Sequence, residues 1–195
     1  MKRVLLPLAV AAAIAGSSAL AAGADDPATV YAAASLADSF PRISPGSRYQ
    51  FAGSNQLALQ LRRGARADVF ASASPQYTRE LFRDGLVEKP RLFATNSLVL
   101  AVPRSNPARI RTVFDLARRP KLKLVVAGPK VPIGLYTREV LKRLSLLRVL
   151  RKSVSQETDV KGIVGKLALG EADAGFVYAT DVRAASSRLV AIPLP

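Results

Sequence analysis

The sequence predicts an α/β protein with helices packed around mostly parallel sheets. Three observations carry this expectation. Short apolar runs of strand length recur along the chain. Segments with helical apolar spacing alternate with them. Glycine, proline and serine punctuate the boundaries between the two kinds of segment. With 195 residues, the chain has room for one large domain or two small lobes.

Taken in order, Val30–Ala34 reads as a buried strand, and Ser35 opens a helix ending at Pro41. The connection PRISPGS is rich in turn residues, and Arg48–Ala52 alternates as a strand does. Gly53-Ser54-Asn55 opens a second helix, with Leu57, Ala58 and Leu61 on one face and Gly64 at its end. Asp68–Ser72 is a further short strand. Ser74 and Pro75 then start a helix as its cap and first residue, with Tyr77 and Leu81 inward and Gly85 as its stop.

Ser97–Pro103 is the strongest strand signal. After a loop over Arg104–Arg111, a short helix fits Thr112–Arg118, and Leu122–Ala127 is a strand. Beyond the loop Gly128–Gly134, one helical face is traced by Tyr136, Val140, Leu141, Leu144 and Leu147. Thr158-Asp159 caps another helix, with Val160, Ile163, Val164 and Leu167 inside and Gly170 at its end. Ala174–Ala179 and Leu189–Leu194 are the last strands.

The N-terminus carries a different message. Lys2 and Arg3 precede an apolar run over Val4–Ala15, and two Ala-x-Ala sites follow, ending at Ala21 and Ala24. This is the pattern of a cleaved secretory signal peptide, too short for a membrane anchor. Cysteine is absent, which excludes disulfides and thiol chemistry. Histidine is absent too, which removes histidine bases, Ser-His triads and histidine metal sites. The net charge is +15. The basic residues are scattered and not interleaved with aromatics, so a solvated basic surface is expected and no nucleic acid partner.

In such folds ligands sit beyond the carboxyl ends of strands. Ser35, Ser54 and the loop over residues 131–134 all fall at strand-to-helix junctions. A helix start offers unpaired N–H groups and a partial positive charge, which suits an anion. A capping role alone remains open for Ser35, Ser54 and Asn55. Ile133 and Val160 are also readable as packing residues, and Tyr178 as a half-buried core tyrosine. Asp68 has no second carboxylate spaced to work with it and is assigned a structural role. Glu139, Glu157 and Asp159 are assigned as solvated or capping groups.

The ordered set YAAASL, FAGSN, ADVFASA, VPIGLYTREVL and ETDVKGIVGKLALGEADAGFVYATD resembles the periplasmic molybdate-binding proteins of ABC importers, from about Thr29 to Pro195. The resemblance implies a two-lobe, type II periplasmic-binding fold with a tetrahedral oxoanion between the lobes. Residues 1–24 would be the signal peptide, 25–102 the first lobe, 103–182 the second, and 183–195 a return strand toward the first. It implies ligand binding by Ser35 and Ser54 through backbone N–H and hydroxyl, by Ile133 and Val160 through backbone N–H, and by Tyr178 through its hydroxyl. Molybdenum would be held as the oxoanion by these neutral donors. No free metal cation, cofactor or catalytic residue is implied, and an ABC permease is the implied partner. Two departures stand out. The helix after Ser35 is short, and the family continues past IPLP, so the expected first lobe lacks its final elements. A monomer is expected, with self-association if that lobe is left incomplete.

Three functional classes follow. The first is a periplasmic protein capturing molybdate or tungstate. The second is a basic exported protein that binds an anionic polymer or lipid through surface charge and weakens steeply with salt. The third is an enzyme on an anionic substrate, disfavoured by the missing histidine, cysteine and carboxylate pair.

Overall fold

The computed structural model describes residues 26–195. The expected signal peptide and its cleavage sites lie outside the described residues. Two sheets organise the rest. The first is three-stranded and all parallel, in the order β2-β1-β3, from β1 (Thr29–Ala33), β2 (Arg48–Ala52) and β3 (Val69–Ala71). Beside it lie α1 (Phe40–Ile43), α2 (Ser54–Arg62) and α3 (Pro75–Arg83).

The second sheet has five strands: β4 (Leu98–Pro103), β5 (Leu124–Ala127), β6 (Ser153–Glu157), β7 (Ala174–Tyr178) and β8 (Leu189–Ile192). Their order is β6-β5-β7-β4-β8. β5 runs parallel to β6 and β7, whereas β4 is antiparallel to β7 and β8. The helices here are α4 (Asp115–Arg118), α5 (Pro132–Arg143), α6 (Val160–Ala168) and α7 (Ala179–Ala184).

Alternation along the second sheet explains its two-sided core. Val99, Ala101, Val125, Ala127 and Val177 face one way and pack with Ile133, Val160, Ile163 and Leu167. Leu100, Val102, Leu124, Val126 and Phe176 face the other and pack with Leu116, Leu141, Val149 and Ile192. A strand buried on both sides reads as a continuous apolar run, as LVLAV and LVVA do. The first sheet is thinner. Val30, Ala32 and Ala71 form one small cluster, and Ala58, Leu61, Tyr77 and Leu81 another.

Several expectations are revised. The helix foreseen from Ser35 is a single 3-10 turn, Ala34–Leu36, separated from α1 by a turn. β6 has no apolar run and alternates half-buried with exposed positions. α7 follows β7 directly, where no helix was expected. The boundary expected at residue 102 falls inside β4, all of which belongs to the five-stranded sheet. The segment 183–195, expected to lean toward the first lobe, instead places β8 against β4 in that same sheet. Hydrogen bonding explains both differences: β4 is an interior strand and needs a partner on each edge.

Candidate functional site

Six parallel-running strands end at one cleft between the two sheets. It is lined by Ala33, Ala34 and Ser35 at the end of β1, by Ala52, Gly53 and Ser54 at the end of β2, and by Ala73 after β3. From the other side come Val131, Pro132 and Ile133 after β5, Asp159 and Val160 after β6, and Tyr178 at the end of β7. The structure thus brings Ser35, Ser54, Ile133, Val160 and Tyr178 to one place. The space between them is about 20 Å³. A single water needs roughly 10–15 Å³ on the same kind of measure, so the two sides of the cleft stand close together.

Each lining element presents donors for a local reason. Ser54 is the first residue of α2 and is fully buried. The Ala73 N–H donates to its Oγ at 3.0 Å, which fixes the oxygen and leaves the hydroxyl proton to donate elsewhere. Pro132 occupies the first position of α5, where its missing N–H is harmless, and the N–H of Ile133 follows in the first turn with no helical acceptor. The Ile133 side chain is buried in the core, so the residue packs with its side chain and offers its amide. Asp159 caps α6 by accepting from Gly162 N–H at 3.1 Å, and Val160 begins the helix with a free N–H. Ser35 is half-buried in the one-turn 3-10 helix that closes β1.

Tyr178 is the clearest anomaly. It is buried, and its Oη has no hydrogen-bond partner among the described residues. A buried hydroxyl without a partner costs stability unless something else receives it. Burial, with Tyr136 and Asp181 nearby, pushes its pKa far above the usual tyrosine range, so it is a neutral donor at any physiological pH.

Among the described residues, no lysine or arginine lines the cleft. Lys161, next to the lining residue Val160, pairs with Asp38 and with buried Asp181, its Nζ 3.2 Å from Asp181 Oδ1. Asp159 is the one charged lining residue among the described residues, and its carboxylate is committed to the first turn of α6. A larger cavity of about 720 Å³ adjoins Ser35 and Tyr178 but opens along the exposed residues 90–96. It lacks the ring of helix starts, so the small cleft carries the site.

Three contacts join the two sides around the cleft. Tyr77 Oη donates to the Lys130 carbonyl, Tyr136 Oη donates to the Ala73 carbonyl at 3.3 Å, and Lys161 reaches Asp38. Gly53 explains how close the sides come: a Cβ there would collide with the Thr158 carbonyl. Among the carboxylates set aside as structural, Asp68 accepts the Thr29 N–H at 2.7 Å and ties the start of β1, while Glu139 pairs with Arg143. Glu157 accepts the Ser155 hydroxyl at 2.6 Å.

A family model for bacterial extracellular solute-binding proteins matches residues 20–195. The chain belongs to the bacterial extracellular solute-binding proteins. A relative named molybdate-binding protein ModA, from Mycobacterium tuberculosis, is 38% identical over 176 residues, 85% of this chain and 66% of its own length. Another of that name, from Haemophilus influenzae, is 31% identical over 173 residues, 80% of this chain and 67% of its own. The solved periplasmic molybdate-binding protein of Azotobacter vinelandii superposes with a TM-score of 0.64 at 23% identity, covering 77% of this chain and 71% of that one. The solute-binding chain described here thus spans just under two thirds of the length of its Mycobacterium relative. Its fold is the two-lobe, type II arrangement of periplasmic binding proteins.

Lys161, Asp38 and Asp181 escaped the sequence reading, and Gly53 entered it only as part of a helix start. Gly53 carried the one usable signal, a glycine directly before a helix-starting serine. The lysine bridge joins residues 123 positions apart in sequence and leaves no local pattern.

Proposed function

We propose that this solute-binding protein captures molybdate, or the near-identical tungstate, between two lobes built on its two sheets, and delivers it to an ABC permease from the periplasm. The observation that carries the reading is the meeting of helix-start amides, two serines and the unpartnered Tyr178 hydroxyl in one cation-free cleft. Ser35, Ser54, Ile133, Val160 and Tyr178 act as donors to the oxoanion. The relatives' names point to the same ligand.

Such a site is specific by its lack of acceptors. A fully deprotonated oxoanion accepts from every side. Phosphate carries a proton at neutral pH, and a ring of donors leaves that proton unpaired. Sulfate is smaller, so a cage fixed at the larger size holds it with longer bonds. The test is calorimetric titration of the mature protein with molybdate, tungstate, sulfate and phosphate. Molybdate and tungstate should bind alike and far more tightly than the other two. Sulfate binding equal to molybdate, or no molybdate binding, would overturn the proposal.

A further inference from the structure

Lys161 stands at an odd place. It is the second residue of α6, directly after Val160, where the helix macrodipole disfavours a cation. Beside an anion cleft its ammonium would be expected to turn inward. It turns away and is shared by two carboxylates, Asp38 after β1 and Asp181 in α7. Burial works to lower its pKa, yet the hydrogen bond to Asp38 and the charge of Asp181 outweigh this and hold it above the ordinary lysine value.

The two carboxylates are not equivalent. The Asp181 side chain has 0% exposure. Its Oδ2 accepts the Tyr178 N–H at 3.2 Å, and its other oxygen faces Lys161. A buried carboxylate holds its cation strongly, because the alternative is an unpaired buried charge. Asp38 is 49% exposed and belongs to the three-stranded side. Water can replace the lysine there at little cost. Lys161 is therefore fixed at one end and exchangeable at the other, and the exchangeable end spans the cleft. The same residue borders two donors assigned above: its own helix starts at Val160, and its fixed carboxylate orients Tyr178.

We propose that Lys161 is a positioning residue which, bridging Asp38 and Asp181, tethers the two sides of the cleft and slows release of the bound oxoanion. The bridge gives the ligand no charge; it acts on the closed arrangement of the donors. The release part rests on the proposed oxoanion capture, whereas the tether itself does not.

The experiment exploits the absence of cysteine. Spin labels at Arg63→Cys and Lys142→Cys, exposed residues on opposite sides, report the distance across the cleft. In ligand-free protein, Asp38→Ala and Lys161→Met should each broaden the distance distribution toward longer values, and Lys161→Arg should restore it. Stopped-flow release of molybdate should speed up by roughly fivefold in Asp38→Ala, the scale of a partly exposed ion pair, with association unchanged. Asp38→Ala should leave the melting temperature nearly unchanged, which separates tethering from a general loss of structure. An unchanged distance distribution in both variants overturns the tether. A broadened distribution with unchanged release overturns its control of the ligand. If the parent protein binds no molybdate, the capture reading fails, and the label distances still decide the tether.

Discussion

The two sheets bury their residues on very different scales. The five-stranded sheet is covered on both faces, and its strands β4, β5 and β7 are almost wholly buried. The three-stranded sheet shares its layer with exposed apolar side chains: Ile43, Leu59, Val69, Phe82, Leu86, Leu92 and Phe93. Phe93 lies 5.9 Å from Phe40, ring to ring, yet keeps 60% of its surface in water. Burial of apolar surface is the main stabilising term, at about 25 cal/mol per Å². The comparison teaches that both sides of the cleft supply donors while one of them supplies most of the stability. The thinner side should open first, at lower free energy.

The sharpest way to break that comparison is to empty each core in turn. Phe176→Ala, in the five-stranded core, should cost about 3–5 kcal/mol of global stability in denaturant titrations. Leu81→Ala, in the smaller cluster, should loosen α2 and α3 while β7 amides stay protected in hydrogen exchange. Equal loss of β7 protection in both variants would show one cooperative unit and defeat the comparison.

Next in size are changes at the cleft. Gly53→Ala places a methyl against the Thr158 carbonyl, so the two sides cannot meet as closely. Molybdate affinity by calorimetry should fall by at least about tenfold, or 1.4 kcal/mol. Tyr178→Phe removes one hydrogen bond to a charged ligand, about 1.5–3 kcal/mol of affinity. It should leave the fold intact or slightly firmer, because the orphaned hydroxyl is gone. Unchanged affinity would return Tyr178 to the core.

Ser35→Ala and Ser54→Ala keep the backbone amide and lose the hydroxyl, so each should cost about 1 kcal/mol of affinity. Ser54→Ala alone should also lower thermal stability, since its oxygen receives Ala73 N–H. A matching stability loss in Ser35→Ala would refute that asymmetry.

The smallest effect is electrostatic and distant from the cleft. The backbone N–H groups of Arg111 and Thr112 hold the Asp115 carboxyl below its ordinary value of 3.8. A depressed carboxyl contributes stability above its unfolded value and loses it as pH falls through the folded value. Acid titration of unfolding should therefore show a shallower decline below pH 3.8 for Asp115→Asn than for the parent.

The alternating strand and helix order was legible because the buried strands are apolar runs and α2, α3 and α6 each have a stop glycine. β6 was not legible: SVSQE has no apolar run and is a strand only because β5 offers it an edge. The one-turn helix at Ser35 differs from the longer one expected because Ala34–Leu36 ends within three residues and the chain turns before α1. The place of β4 and β8 was misjudged since pairing partners leave no mark in a strand's own residues. The five candidate donors were found through the motif set; their meeting at one cleft required the fold. The lysine bridge is a purely tertiary fact.

Two of the proposed donors, at Ile133 and Val160, belong to the peptide chain and not to any side chain. An alanine scan would therefore pass over them, recording only lost packing in the core. Such positions are protected from point mutation in a way that a serine or tyrosine is not, since nineteen of the twenty residues retain the amide. They are also hidden from any search for polar functional residues. Their contribution would be exposed by replacing the peptide bond with an ester at these residues, which deletes the N–H and keeps the side chain.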